Sequence, residues 1–277
     1  MELRLHLLWK ILLWALPFLA LILLLAWTCS LKLSVSVYSI SSAKVTAPIR
    51  IALITDLHGC VYGQDQADLL AALAEQDPDL ICISGDLIDE NKSPEGAWML
   101  LAAIGRAYPC FYVSGNHEFR TENLEELRST ITSYGVTLLA GEAVSCMIND
   151  QPLSIAGVDD PTGVGPIAWQ EQVEQAQSQI GTGYTILLSH RPERIQAYQG
   201  SRFDLVLSGH AHGGQVRLPG LVNGLYAPGQ GWFPQYAGGL YPLGETNLVV
   251  SRGLCKGLLP RVFNRPELVM VEIQPAS

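Results

Sequence analysis

Short apolar runs that end in polar, glycine-containing turns recur along this chain, and this recurrence constrains its fold more than any other feature. In order, the runs and their turns are 50–55 before Asp56-Leu57-His58-Gly59, 80–84 before Gly85-Asp86-Leu87-Ile88-Asp89, and 110–114 before Gly115-Asn116-His117-Glu118. Stretches with the apolar spacing of amphipathic helices, at 66–76 and 94–106, separate the runs. This alternation predicts an α/β layered domain in which ligands bind beyond the carboxyl ends of the strands.

The second half of the chain repeats the pattern. Tyr184 to Ser189 predicts a strand that ends at His190, and Asp204 to Ser208 predicts one that runs into Gly209-His210-Ala211-His212-Gly213-Gly214-Gln215. Two histidines two residues apart in a glycine-rich turn have the spacing of metal ligands. Taken alone, such a pair on a loop is more often ordinary surface chemistry than a metal site, so its weight comes from the upstream turns. We interpret its adjacent glycines as room for backbone beside a bound phosphate.

The remaining elements follow from periodicity and turn residues. They are a strand at 34–40, a helix from Thr121 as N-cap to about Tyr134, short strands between 136 and 158 with a hairpin turn at Asn149-Asp150, a helix at 166–180, a long ordered loop over 220–244, and closing strands at 248–251 and 268–273.

An apolar segment near the start of the chain predicts a membrane anchor. No charged residue occurs from Ile11 to Trp27, and the apolar character continues to Leu31, which gives about 21 residues, enough for a bilayer core. This is longer than the apolar region of a typical signal peptide, and a cleaved signal or a buried core helix is the alternative. We therefore expect an anchor at 1–33 and a catalytic domain at 34–277.

The charge around the anchor does not decide its orientation, because basic residues flank both of its ends. We expect a single-pass protein of the cell membrane with its domain outside the cytoplasm. The net charge of −9 argues against a nucleic-acid partner, since a phosphate backbone needs clustered Lys and Arg. The six cysteines are scattered without close pairs, which indicates neither a disulfide framework nor a zinc knuckle.

The histidines coincide with predicted strand ends. Of six, only His6 lies before the apolar segment, and each of the others follows an apolar run by one to a few residues. Asp56, Asp86 and Asn116 add two carboxylates and an amide oxygen at the same ends. Such a mixed set suits a pair of Mn, Fe or Zn ions better than Ca or Mg. With a bridging hydroxide the pair would keep about one positive charge and attract a phosphate.

These motifs resemble, in order and spacing, the signature of the calcineurin-like metallophosphoesterases. The motifs are Asp56-x-His58, Gly85-Asp86-x-x-Asp89, Gly115-Asn116-His117-Glu118, His190 and Gly209-His210-x-His212. The later Ser251-Arg252-Gly253 and Arg265-Pro266-Glu267-Leu268 are similar to the membrane-associated YkuE/YaeI-type subgroup of phosphodiesterases. The resemblance covers about residues 34–275 and implies a four-layer α/β/β/α sandwich of mixed sheets.

The resemblance also implies roles for individual residues. Asp56, His58 and His212 would bind a first metal, Asn116, His190 and His210 a second, and Asp86 would bridge them. His117 would be the histidine that protonates or steadies the leaving oxygen while a bridging hydroxide attacks phosphorus in line.

For several neighbouring residues the sequence leaves two interpretations open. Asp89 suits either the orientation of a ligand or a helix N-cap, and Glu118 and Arg120 suit the ordering of their loop. Arg191 would contact substrate phosphate or face water. A group of aromatic residues would line a lipid tail or pack the long loop, namely Trp232, Phe233, Tyr236 and Tyr241.

The expected function is that of a membrane-anchored phosphoesterase with two divalent metal ions. Its substrate would carry phosphodiester or pyrophosphate bonds, with a phospholipid or lipid-linked diphosphate favoured because the anchor holds the site near a bilayer. The alternatives are a UDP-sugar-lipid diphosphatase of the UDP-diacylglucosamine type, a phosphomonoesterase, and a silent binding module that metal stabilises. The silent module is disfavoured because His117, which a structural metal site does not need, is present.

Overall fold

The computed structural model describes residues 13–15, 17–18, 28–257 and 260–276. The predicted membrane anchor therefore lies largely outside the described residues. Among the helices of the described part, none has both the length and the apolar character that a bilayer crossing needs.

The strands and helices alternate along most of the chain. The strands are β1 (Ser34–Ser42), β2 (Ile49–Ile54), β3 (Leu80–Ser84), β4 (Cys110–Val113), β5 (Thr137–Leu138), β6 (Glu142–Ile148), β7 (Gln151–Gly157), β8 (Tyr184–Leu188), β9 (Leu205–Ser208), β10 (Tyr226–Ala227), β11 (Gly231–Trp232), β12 (Gly239–Leu243), β13 (Thr246–Val250) and β14 (Glu267–Pro275). The α-helices are α1 (Ala67–Gln76), α2 (Glu95–Ile104), α3 (Leu124–Ser133), α4 (Pro161–Val164), α5 (Pro166–Gln179) and α6 (Ile195–Tyr198). Single 3-10 turns lie at Gln64–Gln66, Glu118–Arg120 and His212–Gly214.

Two six-stranded sheets carry the domain. The first has the order β1-β14-β2-β3-β4-β5 and the second β12-β13-β9-β8-β7-β6. In the first sheet β14 runs antiparallel to β2 and the other neighbours are parallel. In the second, β13, β9, β8 and β7 are parallel and an antiparallel strand closes each edge. Both sheets are thus mixed, as the resemblance implied.

Three apolar cores give the domain four layers. Alternate residues of β2 and β3 point to opposite faces: Ile51 and Leu80 enter a core shared with the second sheet, whereas Ile54 and Ile81 pack against α1, α2 and α3. On the far side, α5 and α6 cover the outer face of the second sheet. Both faces of the central strands are buried, so their sequences are continuously apolar. Each fully buried Leu or Ile contributes about 1.5–3 kcal/mol.

Two local predictions were wrong. Thr121 does not cap α3, because its hydroxyl donates to the carbonyl of Glu118 at 2.7 Å, and the cap is Asn123, which accepts from the Glu126 amide at 3.1 Å. The segment 220–244 is not loop throughout, since it holds the β10–β11 hairpin and strand β12. The hairpin turn at Asn149-Asp150 is confirmed, with both residues at positive φ between β6 and β7. The six cysteines are free, as expected.

Candidate metal centre

The predicted ligands come together where the carboxyl ends of the two sheets meet. Loops after β2, β3 and β4 of the first sheet supply Asp56, His58, Asp86 and Asn116, and loops after β8 and β9 of the second supply His190, His210 and His212. Hydrogen bonds join the sheets here, because the Ser84 hydroxyl donates to the Leu207 carbonyl at 2.7 Å. The parallel strands therefore place residues from distant parts of the sequence at one point.

Five of these ligand residues adopt a left-handed backbone, which is uncommon for residues other than glycine. Their φ values are 52° at Asp56, 49° at His58, 51° at Asp86, 64° at His210 and 46° at His212. Each such residue costs on the order of 1–3 kcal/mol, a cost that structures keep mainly at functional sites. Neighbouring turns hold two of them: the amides of Asp56 and His58 donate to the carbonyls of Gly85 and Asp86.

The side chains form two clusters that share one carboxylate. We call Asp56, His58, Asp86 and His212 the first ligand group, and Asp86, His190 and His210 the second ligand group; within each group, the ligand atoms lie within 4.8 Å of one another. In the first, His58 Nε2 lies 3.7 Å from Asp86 Oδ2, and His212 Nε2 lies 3.5 Å from Asp56 Oδ1. In the second, His190 Nε2 lies 3.1 Å from the same Asp86 oxygen.

Two orphaned atoms at the centre fit bound cations. Asp86 Oδ1 accepts from the His117 amide at 2.9 Å, whereas Asp86 Oδ2 and His58 Nε2 are buried without a hydrogen-bond partner. Buried polar atoms are normally satisfied, so a pair left open and facing each other points to a ligand between them. Carboxylate and imidazole donors match a divalent transition ion or Zn²⁺.

Outer partners fix the orientation of two imidazoles. His58 Nδ1 lies 3.1 Å from Asp89 Oδ2, and His190 Nδ1 lies 2.7 Å from the carbonyl oxygen of Ser84. With Nδ1 donating its proton outward, each Nε2 lone pair is directed at the cluster. Of the two interpretations of Asp89, the structure favours ligand orientation, because Pro94 is the N-cap of α2.

Asn116 lies at the same edge and contacts Arg191. Its Oδ1 is 3.4 Å from Nη2 of Arg191, whose Nη1 is 2.7 Å from Nε2 of His210. Asp160 holds this guanidinium through two hydrogen bonds, at 2.6 and 3.0 Å. Arg191 therefore does not simply face water; it links Asn116 to the second ligand group.

Glu118 orders the turns that carry the ligands. Its buried carboxylate accepts from three backbone amides: those of Asp86 and Ile88 at 3.0 Å and that of Gly115 at 2.8 Å. Burial, and next to it the charge of Asp86, raises the pKa of Glu118. The interpretation that Glu118 orders its loop is confirmed. Glu118 also orders the turn after β3, through the amides of Asp86 and Ile88.

His117 sits at the edge of the first ligand group. Its Nδ1 is 2.6 Å from Glu90 Oε2, its Nε2 is 4.0 Å from Asp86 Oδ2, and Arg120 Nη1 is 3.5 Å from Nε2. Its side chain is 21% exposed, against 0% for His190, so His117 can meet a molecule from solvent. No pattern in the sequence predicts the contact of Glu90 with His117.

A cavity of about 300 Å³ opens beside the first ligand group. It is lined by His58, Asp89, Lys92, His117, His212, Gln215, Cys255, Gly257 and Arg261. Arg261 is buried and donates to the carbonyls of Arg252, Gly253 and Cys255, which are neutral partners. The cavity thus carries two cationic side chains next to the ligands. No pattern in the sequence places Lys92 or Arg261 at the site.

Without metal, charges within the cluster shift the imidazoles in opposite directions. Burial opposes protonation of His190, but the facing Asp86 outweighs it and raises the pKa of His190 to about 10. Burial lowers the pKa of His212 to about 4 and that of His210 further below its usual range. A metal ion would therefore compete with the proton of His190, since a ligating imidazole must be neutral.

Close packing explains the glycines of these turns. A Cβ on Gly115 would lie 2.3 Å from Asp86 Oδ1, and one on Gly253 would lie 2.6 Å from Asp56 Cβ. A Cβ on Gly213 would lie 2.1 Å from Asn264 Oδ1, and one on Gly214 would lie 2.4 Å from Gly224 Cα. Packing between loops is therefore sufficient to explain the absence of side chains there, and the interpretation as room beside a bound phosphate stays a prediction.

Comparison with known proteins finds a matching family and several similar proteins. The family model for calcineurin-like phosphoesterases matches residues 49–214, which hold all the predicted ligands. The phosphodiesterase YaeI of Escherichia coli (strain K12) is 29% identical, covering 82% of this chain and 83% of its own length. An uncharacterized metallophosphoesterase of Aquifex aeolicus (strain VF5) is 32% identical over 87% and 92% of the two chains, and YkuE of Bacillus subtilis (strain 168) is 26% identical over 82% and 80%.

Proposed function

This chain belongs to the calcineurin-like phosphoesterase family, and on that premise we propose that it hydrolyses phosphodiester or pyrophosphate bonds with two divalent metal ions. The observation that carries the proposal is the position of Asp86, whose carboxylate is a member of both ligand groups. One carboxylate between two sets of imidazoles is the arrangement that holds two cations a few ångströms apart.

The ligands divide between the ions as the two groups do. Asp56, His58 and His212 would hold the first ion, His190 and His210 would hold the second with Asn116, and Asp86 would belong to both. Mn, Fe and Zn suit these donors. The bound ions supply a water of lowered pKa and neutralise charge that develops on the phosphoryl oxygens.

His117 acts on the leaving group. Glu90 holds Nδ1 of His117, which leaves Nε2 on the side of Asp86, 4.0 Å away, where a substrate oxygen departing into the cavity comes within reach. A positioned proton donor at this point contributes about 10²–10⁴-fold to the rate.

With a metal held at His210, Arg191 would need a partner other than Nε2 of that histidine. His210 faces His190 through Nδ1, at 3.2 Å, so Nδ1 is the atom available to a metal. Its other nitrogen, Nε2, must then carry the proton, and two donors cannot pair. The Arg191 contact with His210 would break, and Asp160 would keep the guanidinium in place with Nη1 free for a phosphate oxygen.

The substrate proposal rests on the apolar segment before Thr28 and on the cavity. A single-pass anchor, with the domain outside the cytoplasm, would keep the centre at a membrane surface, so a phospholipid or lipid-linked diphosphate fits better than a diffusing nucleotide. Lys92 is paired with Asp89 at 2.8 Å, so Arg261, whose partners are neutral carbonyls, is the cation of the cavity that favours a leaving group with negative charge. A UDP-sugar-lipid diphosphatase is the second candidate, and the similarity to the phosphodiesterase YaeI supports phosphodiester cleavage.

The decisive experiment combines metal counting with a substrate screen. We expect the purified full chain to bind two equivalents of Mn, Fe or Zn, measured by inductively coupled plasma mass spectrometry. The Mn-loaded protein should cleave bis-p-nitrophenyl phosphate or a lipid diphosphate faster than monoesters. Fewer than two equivalents would contradict the binuclear centre, faster monoester cleavage would make it a phosphomonoesterase, and no cleavage at full occupancy would leave a metal-stabilised binding module.

A further inference from the structure

Large apolar side chains are exposed together on the segment that leads away from the metal centre. Leu218 is 45% exposed, Leu221 85%, Tyr226 46%, Trp232 68% and Phe233 66%. We call these five residues the apolar rim. Isolated exposed apolar residues are ordinary, but a run of them within sixteen residues marks an interaction surface.

The rim is held in place by its own backbone. The Phe233 amide donates to the carbonyl of Leu225 at 2.8 Å, and the Leu218 amide donates to that of Val222 at 3.0 Å. The rings of Tyr226 and Trp232 meet edge to face at 5.5 Å. The exposure therefore belongs to an ordered surface that cannot bury these groups by collapsing.

Two other aromatic residues of the same segment behave differently. Tyr236 and Tyr241 stack edge to face at 5.1 Å and pack against the core beneath α5, and the Tyr241 hydroxyl accepts from Asn223 at 2.6 Å. Loop packing thus accounts for these two tyrosines, whereas it leaves Trp232 and Phe233 pointing into solvent.

The rim adjoins the point where the apolar N-terminal segment enters the domain. Val216, two residues before the rim, forms a β-bridge with Val262, and the next amide, that of Phe263, donates to the carbonyl of Thr28 at 2.6 Å. Arg265 donates to the carbonyls of Lys32 and Leu33 at 3.0 and 2.9 Å. The rim and the end of the apolar segment therefore share one side of the domain.

Basic side chains lie between the rim and that entry point. A cavity of about 580 Å³ there is lined by Thr28, Ser30, Lys32, Ser34, Pro219, Arg252, Phe263 and Arg265. Arg252 is paired with the buried Glu267 at 2.5 Å, whereas Lys32 and Arg265 have no carboxylate partner among the described residues, in contrast with the chain's net charge of −9. Trp and Tyr beside Lys and Arg are the composition of a membrane–water interface, with the basic groups at anionic headgroups.

The same segment contacts the metal centre. The amide of Leu225 donates to the carbonyl of Gly214 at 2.9 Å, and Gly214 closes the 3-10 turn that begins at His212. A surface that fixed the rim would thereby fix the direction in which the centre faces.

We propose that the apolar rim docks into the headgroup region of an anionic bilayer. Lys32 and Arg265 face the lipid phosphates there, and the metal centre is turned toward them. The inference rests on the proposed membrane anchor for its geometry. It adds that the domain lies against the bilayer, rather than standing away from it on the segment after Leu31.

The test uses the full chain in nanodiscs of phosphatidylglycerol and phosphatidylcholine that contain brominated lipid, which quenches nearby tryptophan. The tryptophans that both variants retain, Trp9, Trp14, Trp27 and Trp98, add a constant background, so single substitutions isolate the residue of interest. We expect Trp232→Phe to remove a strongly quenched component of the emission. The matched control, Trp169→Phe, should remove an unquenched one, because Trp169 is 3% exposed under α5.

Equal quenching of the Trp232 and Trp169 components would overturn the proposal. So would a dimer in detergent that Phe233→Ser dissociates and the exposed control Ile167→Ser does not, since the rim would then bind a second copy of the chain. Ile167 is 75% exposed on α5 and matches Phe233 in exposure. Turnover of soluble bis-p-nitrophenyl phosphate by the unmodified chain tests the catalytic proposal separately, because that substrate needs no bilayer.

Discussion

The two ligand groups share Asp86 but differ in their access to solvent. The first ligand group opens onto the cavity that His117, Lys92 and Arg261 line, and a carboxylate, Asp89, orients its His58. The second is closed: His190 is fully buried, a backbone carbonyl orients it, and the Arg191–Asp160 pair covers His210. On the proposed function, we therefore expect the leaving group to exit on the first side, with the second side closed around a cation and a phosphate oxygen.

The largest expected effect removes what the two groups share. Asp86→Ala should abolish binding of both ions and lower turnover by about a thousandfold or more, because metal ions supply several kcal/mol of transition-state stabilisation. Metal content and hydrolysis of bis-p-nitrophenyl phosphate measure this, with the exposed Glu171→Ala on α5 as control. Loss of a single equivalent would show that Asp86 belongs to one group alone.

The next effect tests the open side. His117→Ala should keep both ions and lower turnover by about 10²–10³-fold. If His117 donates a proton to the departing oxygen, the loss should be larger for a diester with an alkyl leaving group than for one with p-nitrophenol, which leaves without help. Paired kcat measurements on the two substrates check this. An equal loss for both would assign His117 a structural role.

A smaller effect separates the groups by their outer partners. Asp89→Asn removes the carboxylate that orients His58, and the loss of such a partner typically weakens metal binding by about 10–100-fold. We expect only one of the two equivalents to weaken, since the second ligand group has no contact with Asp89. Competition titration with a chelator resolves the two equivalents, and the unaffected one is the internal control.

The smallest effect concerns acid stability on the closed side. Burial opposes ionisation of Asp160, but its hydrogen bonds with Arg191 lower its pKa below the usual value. A carboxylate with a lowered folded-state pKa stabilises the protein above its unfolded pKa, about 3.9 for Asp, and this stability is lost as pH falls through the folded value. Urea unfolding of the chelator-treated protein at pH 7 and pH 3 should show a smaller pH dependence in Asp160→Asn. An unchanged pH dependence of the unfolding free energy in Asp160→Asn would contradict the assignment of this stability to Asp160.

The clustering of these side chains could be predicted because the information is local. Asp56, His58, Asp86, Asn116 and His190 each follow closely on an apolar run, and parallel strands bring such ends together whatever the distance in sequence. The mixed direction of the sheets was implied by the family resemblance and not by these runs. The unit of strand, polar turn and helix can therefore be predicted without knowledge of tertiary contacts.

What stayed hidden depends on contacts between distant segments. No sequence pattern around Glu90 predicts its contact with His117. Arg261 reaches the cavity only because the loop after β13 folds back over Asp56. Thr121 has the right residue type for an N-cap, but its hydroxyl is occupied by Glu118, so the helix begins later. The exposure of Trp232, in contrast to Tyr236, is likewise decided by which neighbours fold over each ring.

The place of β14 sets an order of events for folding. This strand, the last of the chain, lies between β1 and β2, so β1 has no strand partner, and β2 has β3 alone, until residue 267 and those after it exist. Pairings across so long a sequence distance form slowly, because loop closure precedes any gain from contact. The turn with Asp56 and His58 can form against the β3 turn, but the strand that carries it keeps one unpaired edge until the end of the chain arrives. A ribosome-bound fragment that already contains every proposed ligand would still expose that edge.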